Sequence, residues 1–91
     1  MPTLTFSQLA EMIGGTVIQG GDAVTSSVII DSREIKPRAV FFAVKGERLD
    51  GHDFVAQALE KGAVGAVVSR VPEGVDKPLI RVDDTIRALQ A

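Results

Sequence analysis

Two polar clusters carry the chemistry open to this 91-residue chain. Asp31-Ser32-Arg33 follows the β-branched run Val28-Ile29-Ile30. Lys45-Gly46-Glu47-Arg48-Leu49-Asp50-Gly51-His52-Asp53-Phe54 follows the apolar run Val40-Phe41-Phe42-Ala43-Val44. A serine hydroxyl, turn amides and a guanidinium fork together suit a diphosphate or the edge of a pyrimidine. In the second cluster Gly46 and Gly51 permit tight turns and close backbone approach, while Lys45, Arg48 and His52 add donors. Each cluster also has a plainer reading. Taken alone, the first is better read as a turn in which Asp31 caps backbone amides and pairs with Arg33 at the surface. The second equally suits a solvated connection in which His52 caps a helix or lies at the surface.

Catalysis is poorly served by these residues. His52 has Asp50 and Asp53 nearby, but no Ser or Cys at an evident nucleophile elbow completes a triad. One His with scattered carboxylates is a poor metal set. Asp83-Asp84 stand where a helix N-terminus favours negative charge, which makes capping their natural role. No G-x-x-x-x-G-K-S/T run occurs, so the chain has no P-loop for ATP phosphates. The residues point to binding.

The elements that must position these clusters are short. Thr5-Phe6-Ser7-Gln8 has the capping-box pattern, with Leu4 and Leu9 spaced as a hydrophobic staple. Phe6, Leu9, Ala10 and Ile13 follow helical spacing until Gly14-Gly15. Thr16-Val17-Ile18-Gln19 reads as a strand closed by the turn Gly20-Gly21-Asp22. Val28-Ile29-Ile30 is a second strand. Val40 to Val44 is apolar on both alternating faces and suits a strand buried on both sides. Asp53 is placed as the N-cap of a helix whose face carries Val55, Ala58, Leu59 and Gly62, with Gly62 at its end. Ala63 to Val68 is a small-residue strand, and strand, helix and strand in this order imply a right-handed parallel crossover. Leu79-Ile80-Arg81-Val82 follows the Pro72-Glu73-Gly74 turn. Asp83-Asp84-Thr85 then caps a helix with Ile86 and Leu89 on an apolar stripe, which the chain's last residue, Ala91, interrupts as a cut edge would.

Composition bounds the class. Length fits one small domain. With four Phe and no Trp or Tyr, the core must be aliphatic. No Cys means no disulfide framework, thiolate metal site or thiol nucleophile. Net charge is −2 with acids and bases interleaved, so no basic stripe serves nucleic acid. No run approaches the ~20 apolar residues of a membrane span, and the N-terminus lacks signal-peptide character. A cytoplasmic α/β domain is expected.

Set in order, the early helix ending in Gly14-Gly15, Asp31-Ser32-Arg33, Phe41 to Arg48, Asp50-Gly51-His52-Asp53-Phe54, Ala58, Gly62-Ala63 and Val82-Asp83-Asp84-Thr85 resemble the N-terminal domain of the Mur ligases. The likeness runs along essentially the whole chain, with the MurF branch nearest and the MurE branch second. It implies a small mixed β-sheet packed with about three short helices. Residues 1–82 would be the UDP-substrate-binding domain, and residues 83–91 the start of a helix leading to an absent central ATP-binding domain. The parent enzyme would be a cytoplasmic ligase joining D-alanyl-D-alanine to UDP-MurNAc-tripeptide, with ATP and Mg²⁺ held by the central domain and a C-terminal domain beyond it. Within this chain, which would hold no cofactor itself, Ile30 and Ser32 would lie beside the uracil and ribose. The loop of Gly46, Glu47, Arg48 and Leu49 would reach the nucleotide, and Arg33 and His52 would support the pocket. The resemblance breaks at one turn: the family usually has Gly after the Pro of the loop before the buried strand, and here Arg38 follows Pro37. Arginine tolerates φ > 0 poorly, so that loop is expected to differ in shape. Two other readings stand beside this one. One is a MurE-type fragment; the other is a partner-docking module that works through its C-terminal edge and has no nucleotide site.

Overall fold

A computed structural model of the chain describes residues 3–30, 36, 38–45 and 50–90. The first helix forms as its spacing requires. The Gln8 N–H donates to Thr5 Oγ1 (3.1 Å) and the Thr5 N–H donates to Gln8 Oε1 (2.9 Å), so the box is complete. Helix α1 (Phe6–Ile13) buries Phe6, Leu9 and Ala10 and stops at Gly14, where φ is 72°. Strand β1 (Leu4–Thr5) pairs antiparallel with β3 (Val24–Thr25), a ribbon too short to leave any periodicity in the sequence.

The main sheet holds β2 (Thr16–Gln19), β4 (Ser27–Ile29), β5 (Ala39–Phe42), β6 (Gly65–Val68) and β7 (Leu79–Arg81), in the order β2-β7-β6-β5-β4. Pairing is parallel from β4 through β7, and β2 runs antiparallel to β7, so the sheet is mixed as expected. Every residue of β5 and β6 is buried, which explains their unbroken apolar runs. A bulge interrupts the β2–β7 register between Val17 and Gln19. There the Gln19 side-chain amide donates to the carbonyls of Val75 (2.8 Å) and Lys77 (2.7 Å), tying the loop before β7 to the edge strand.

Alternate residues feed two cores, one on each face of the sheet. Ala39, Phe41, Ala43, Ala66, Val68 and Leu79 pack with Val55 and Ala58 of helix α2 (Val55–Glu60). Val40, Phe42, Val67, Ile80 and Val82 pack with Phe6, Leu9 and Ala10 of α1 and with Ala88 of helix α3 (Thr85–Gln90). The result is three layers, helix on sheet on helix. Among the described residues no helix is long and apolar enough to cross a membrane.

Three local expectations need correction. Asp53 is not the cap of the second helix. Phe54 holds that position with no side-chain cap bond, and Asp50 caps the 3-10 turn Gly51–Phe54 just before α2, where its side chain accepts from the His52 N–H two residues on. On α2, Val55 and Ala58 are buried, Leu59 is half-buried against the core, and Gly62 is exposed with φ at 113°. On α3 the buried face is Thr85 and Ala88, whereas Ile86 and Leu89 are 44% and 39% exposed. Thr85 Oγ1 donates to the buried Ala43 carbonyl at 2.9 Å, and that bond sets the rotation of the helix.

Arg38 does adopt the left-handed backbone, with φ at 60°, so the turn keeps the conformation a glycine would take. Its carbonyl accepts from the Ser26 N–H (3.1 Å) and from Thr25 Oγ1 (2.8 Å), and the following Ala39 N–H donates to Lys36 (3.1 Å). These bonds hold the arginine in a conformation that costs an L-residue ~1–2 kcal/mol. Its side chain is exposed. Replacing Arg38 with glycine should therefore stabilise the domain by about 0.5–1 kcal/mol, once glycine's own chain-entropy cost is set against the relieved strain. A thermal midpoint that rises by a few degrees would show this; one that falls would mean the arginine side chain makes an unseen contribution.

Candidate functional site

Four parallel strands bring their carboxyl ends to one edge of the sheet, the edge at which open α/β sheets hold ligands. Ile30 follows β4 there and is 59% exposed, an uncovered branched aliphatic side chain immediately before Asp31-Ser32-Arg33 in the sequence. Strand β5 ends next to it, in the register Ser27–Ala39, Val28–Val40 and Ile29–Phe41. Ala43, Val44 and the exposed Lys45 follow. The predicted site residues Ser32, Arg33, Gly46, Glu47, Arg48 and Leu49 lie outside the described residues, whereas the residues flanking them, Ile30, Lys45 and Asp50, lie within.

The residues on either side of positions 46–49 are joined to each other. Lys45 and Asp50 form an antiparallel bridge, and the Gly51 N–H donates to the Val44 carbonyl at 2.8 Å. Gly51 lies so close to the end of β5 that a Cβ there would stand 2.7 Å from the Val44 nitrogen and 2.9 Å from its carbonyl oxygen. Only glycine fits.

His52 is the hub of this edge, with its side chain 5% exposed. Its Nδ1–H donates to Asp50 Oδ1 at 2.7 Å. Its Nε2 accepts from the Ser69 backbone N–H at 2.9 Å and lies 3.2 Å from Ser69 Oγ. Since an amide can only donate, Nε2 must carry the lone pair and Nδ1 the proton. Asp50 accepts the His52 backbone N–H on the same oxygen (3.0 Å) and pairs through Oδ2 with Arg70 (3.0 Å). Asp, His and Ser are the components of a hydrolytic triad, but the one lone pair of Nε2 is already engaged by the serine's own amide. It is not free to deprotonate the hydroxyl. The arrangement fastens the end of β5 to the end of β6. Ser69 and Arg70 escaped sequence reasoning because nothing local marks them; only their position after a buried parallel strand could have.

The backbone N–H of His52, then its ring N–H, and more weakly Arg70 draw the Asp50 carboxyl down to about 2, against a smaller opposing effect of burial. A depressed carboxylate contributes stability above its unfolded value, near 3.8, and loses that contribution as pH falls toward about 2. Asp50→Asn should therefore cost about 0.5–1.5 kcal/mol near neutrality, because solvent screens these charge-assisted contacts. Urea unfolding curves of the two proteins should converge as the medium is acidified through that window. A gap unchanged by acid would rule out the carboxylate as its source.

Among the described residues no three His, Asp or Glu side chains converge as a metal set. What the edge offers is exposed aliphatic surface, strand-end amides and cationic side chains.

A sequence profile described as "Mur ligase family, catalytic domain" matches residues 24–91. The chain is 42% identical over 85 residues to the UDP-N-acetylmuramoyl-tripeptide–D-alanyl-D-alanine ligase of Escherichia coli, covering 93% of this chain and 18% of that protein. It is 42% identical over 81 residues to the UDP-N-acetylmuramoyl-L-alanyl-D-glutamate–2,6-diaminopimelate ligase of Geobacillus thermodenitrificans, covering 89% and 16%. The crystal structure of MurF from Acinetobacter baumannii superposes on 98% of this chain and 20% of its own, with a TM-score of 0.85 and 33% identity. The chain thus spans about a fifth of the length of the relatives it matches.

Proposed function

Since this chain belongs to the Mur ligase family, we propose that it is the N-terminal domain of a peptidoglycan-precursor ligase and grips the UDP end of the UDP-MurNAc-peptide substrate. One observation carries this reading above the others. The strands leading into the two polar clusters, β4 and β5, are parallel neighbours, so both clusters begin at the same sheet edge. Exposed Ile30 supplies a flat apolar contact for a base, and Ser32, Arg33 and the segment Gly46 to Leu49 supply donors for ribose and diphosphate. Holding the nucleotide remotely would use binding energy to deliver the distant peptide carboxylate to the reaction centre.

The parent would be of the MurF type, adding D-alanyl-D-alanine in the cytoplasm. The solved MurF likeness over nearly the whole chain supports that branch, and the equal identity to a diaminopimelate ligase keeps the MurE type as the second reading. An assay of which amine the full-length enzyme consumes separates them. ATP and Mg²⁺ would be bound by the central domain, since this chain has no P-loop run. Exposed Ile86 and Leu89 on α3 offer that domain an apolar seat.

Titrating this chain with UDP and following backbone amides by NMR tests the site. Amides of residues 30–33 and 45–52 should shift together, and shifts confined to the opposite edge would refute the placement. In the full-length ligase, Ser32→Ala should raise KM for the UDP substrate by about two- to twelvefold, the equivalent of one hydrogen bond, with KM for ATP nearly unchanged.

A further inference from the structure

We infer that Thr85 is a positioning residue that couples the nucleotide edge to helix α3: its hydroxyl, bonded to the Ala43 carbonyl, ties the helix to the end of β5 and so governs how Ile86 and Leu89 are presented. This deepens the UDP-binding reading and rests on it. Helix α3 has six residues, too few to hold itself together in water, so what it touches sets where it lies. Two of its side chains are buried, Thr85 and Ala88. Ala88 adds a methyl group to the core, and among the described residues the Thr85 hydroxyl makes the one hydrogen bond from α3 to another element. A cleft of about 340 Å³ opens beside the helix, with Ile13 and Gly14 at the end of α1 on one side and Asp84, Arg87 and Ala88 on the other. The helix has room to lift.

The bond falls on the edge that would hold the nucleotide. Ala43 is fully buried and donates its own N–H to the Val67 carbonyl at 2.9 Å. Two residues on is the exposed Lys45, and the Val44 carbonyl between them accepts the Gly51 N–H at 2.8 Å. The approach to α3 meets the same edge one strand over, where the Val82 N–H donates to the Val68 carbonyl at 2.8 Å. A ligand held by Lys45 and the strand-end amides restrains this backbone, and with it the carbonyl on which Thr85 sits. Helix α3 then has two arrangements, docked with the bond made and lifted with it broken, and an occupied edge favours the first. The coupling is reciprocal, so a docked α3 also favours an occupied edge.

Hydrogen exchange of this chain, with UDP as the probe, tests the coupling. The Ala88 N–H, which donates to the Asp84 carbonyl at 3.0 Å, reports on α3, and Val67 in the middle strand reports on opening of the whole domain. Saturating UDP should slow Ala88 by about fivefold or more beyond any slowing at Val67. Thr85→Val keeps the shape of the side chain and removes the hydroxyl. Its Ala88 should exchange about two- to twelvefold faster without UDP, the equivalent of one hydrogen bond, and should no longer answer to UDP. Its Kd for UDP should stay within about twofold of wild type, because α3 is docked most of the time in both. Thr85→Ser keeps the hydroxyl and should restore the response. A helix merely held in place by Thr85 would loosen in Thr85→Val yet still answer to UDP. That result would overturn the coupling and leave the UDP reading intact, as would a wild-type Ala88 indifferent to UDP while the Ile30 and Lys45 amides shift. No amide shift at the edge in wild type with UDP would instead overturn the UDP reading, and this inference with it.

Discussion

Replacing Phe6 with alanine should destabilise the domain by about 3–5 kcal/mol, the range for a phenyl ring removed from a closed core. Phe6 is 0% exposed, although it is the first residue of α1, where side chains are commonly half in water. Its ring lies in the core shared by Val40, Phe42, Val67 and Ile80, over the face of the sheet that α1 covers. Its N–H donates to the Ala23 carbonyl at 2.8 Å, so the backbone is pinned and the surroundings cannot close over the hole. A domain of this size commands on the order of 5–13 kcal/mol in all, so one truncation removes a large share. Urea unfolding should show the midpoint fall with the slope preserved. A loss below about 1 kcal/mol would mean that the ring is not closely packed.

Gly65→Ala should be nearly as damaging, for the opposite reason. A Cβ at 65 would overlap the Pro78 carbonyl oxygen and come within 2.7 and 2.8 Å of two carbons of the Phe6 ring. Overpacking usually costs about 1–3 kcal/mol, and the upper end applies here because one obstacle is backbone. That same carbonyl accepts the Ala66 N–H at 3.1 Å, so pushing it aside weakens the β6–β7 junction. Combining Gly65→Ala with Phe6→Leu should recover part of the loss, since the smaller side chain yields but the carbonyl does not. Strict additivity of the two changes would show that they do not share the space.

How much of this was legible depended on whether the deciding contact was local. The α1 cap was readable because Thr5 and Gln8 stand three residues apart and cap each other. The buried strands were readable because a strand covered on both faces has no reason to alternate. The outward turn of Ile86 and Leu89 was not, because the bond that rotates α3 runs to Ala43, just past the end of β5 and far off in sequence. The aspartate that caps this stretch is Asp50, at the 3-10 turn ahead of α2, rather than Asp53. Asp50 and Asp53 are equally good acceptors on paper, and only the bridge to Lys45 selects the first. His52 stands among the residues the sequence offers for the site, yet its partner Ser69 lies seventeen positions away and carries no motif of its own.

The β2–β7 pairing has a consequence for how the chain is born. Strand β2 is synthesised before its partner, Leu79–Arg81, which follows about sixty residues later. At typical elongation rates of ~5–20 residues per second, β2 waits between roughly three and twelve seconds for a mate. Helix α1 flickers in and out of existence many times in that interval, with no sheet beneath it to bury Phe6. Synthesis thus imposes a delay that the isolated, refolding chain never experiences. Pairing at the β2 edge of the sheet can begin only once Leu79–Arg81 has been made.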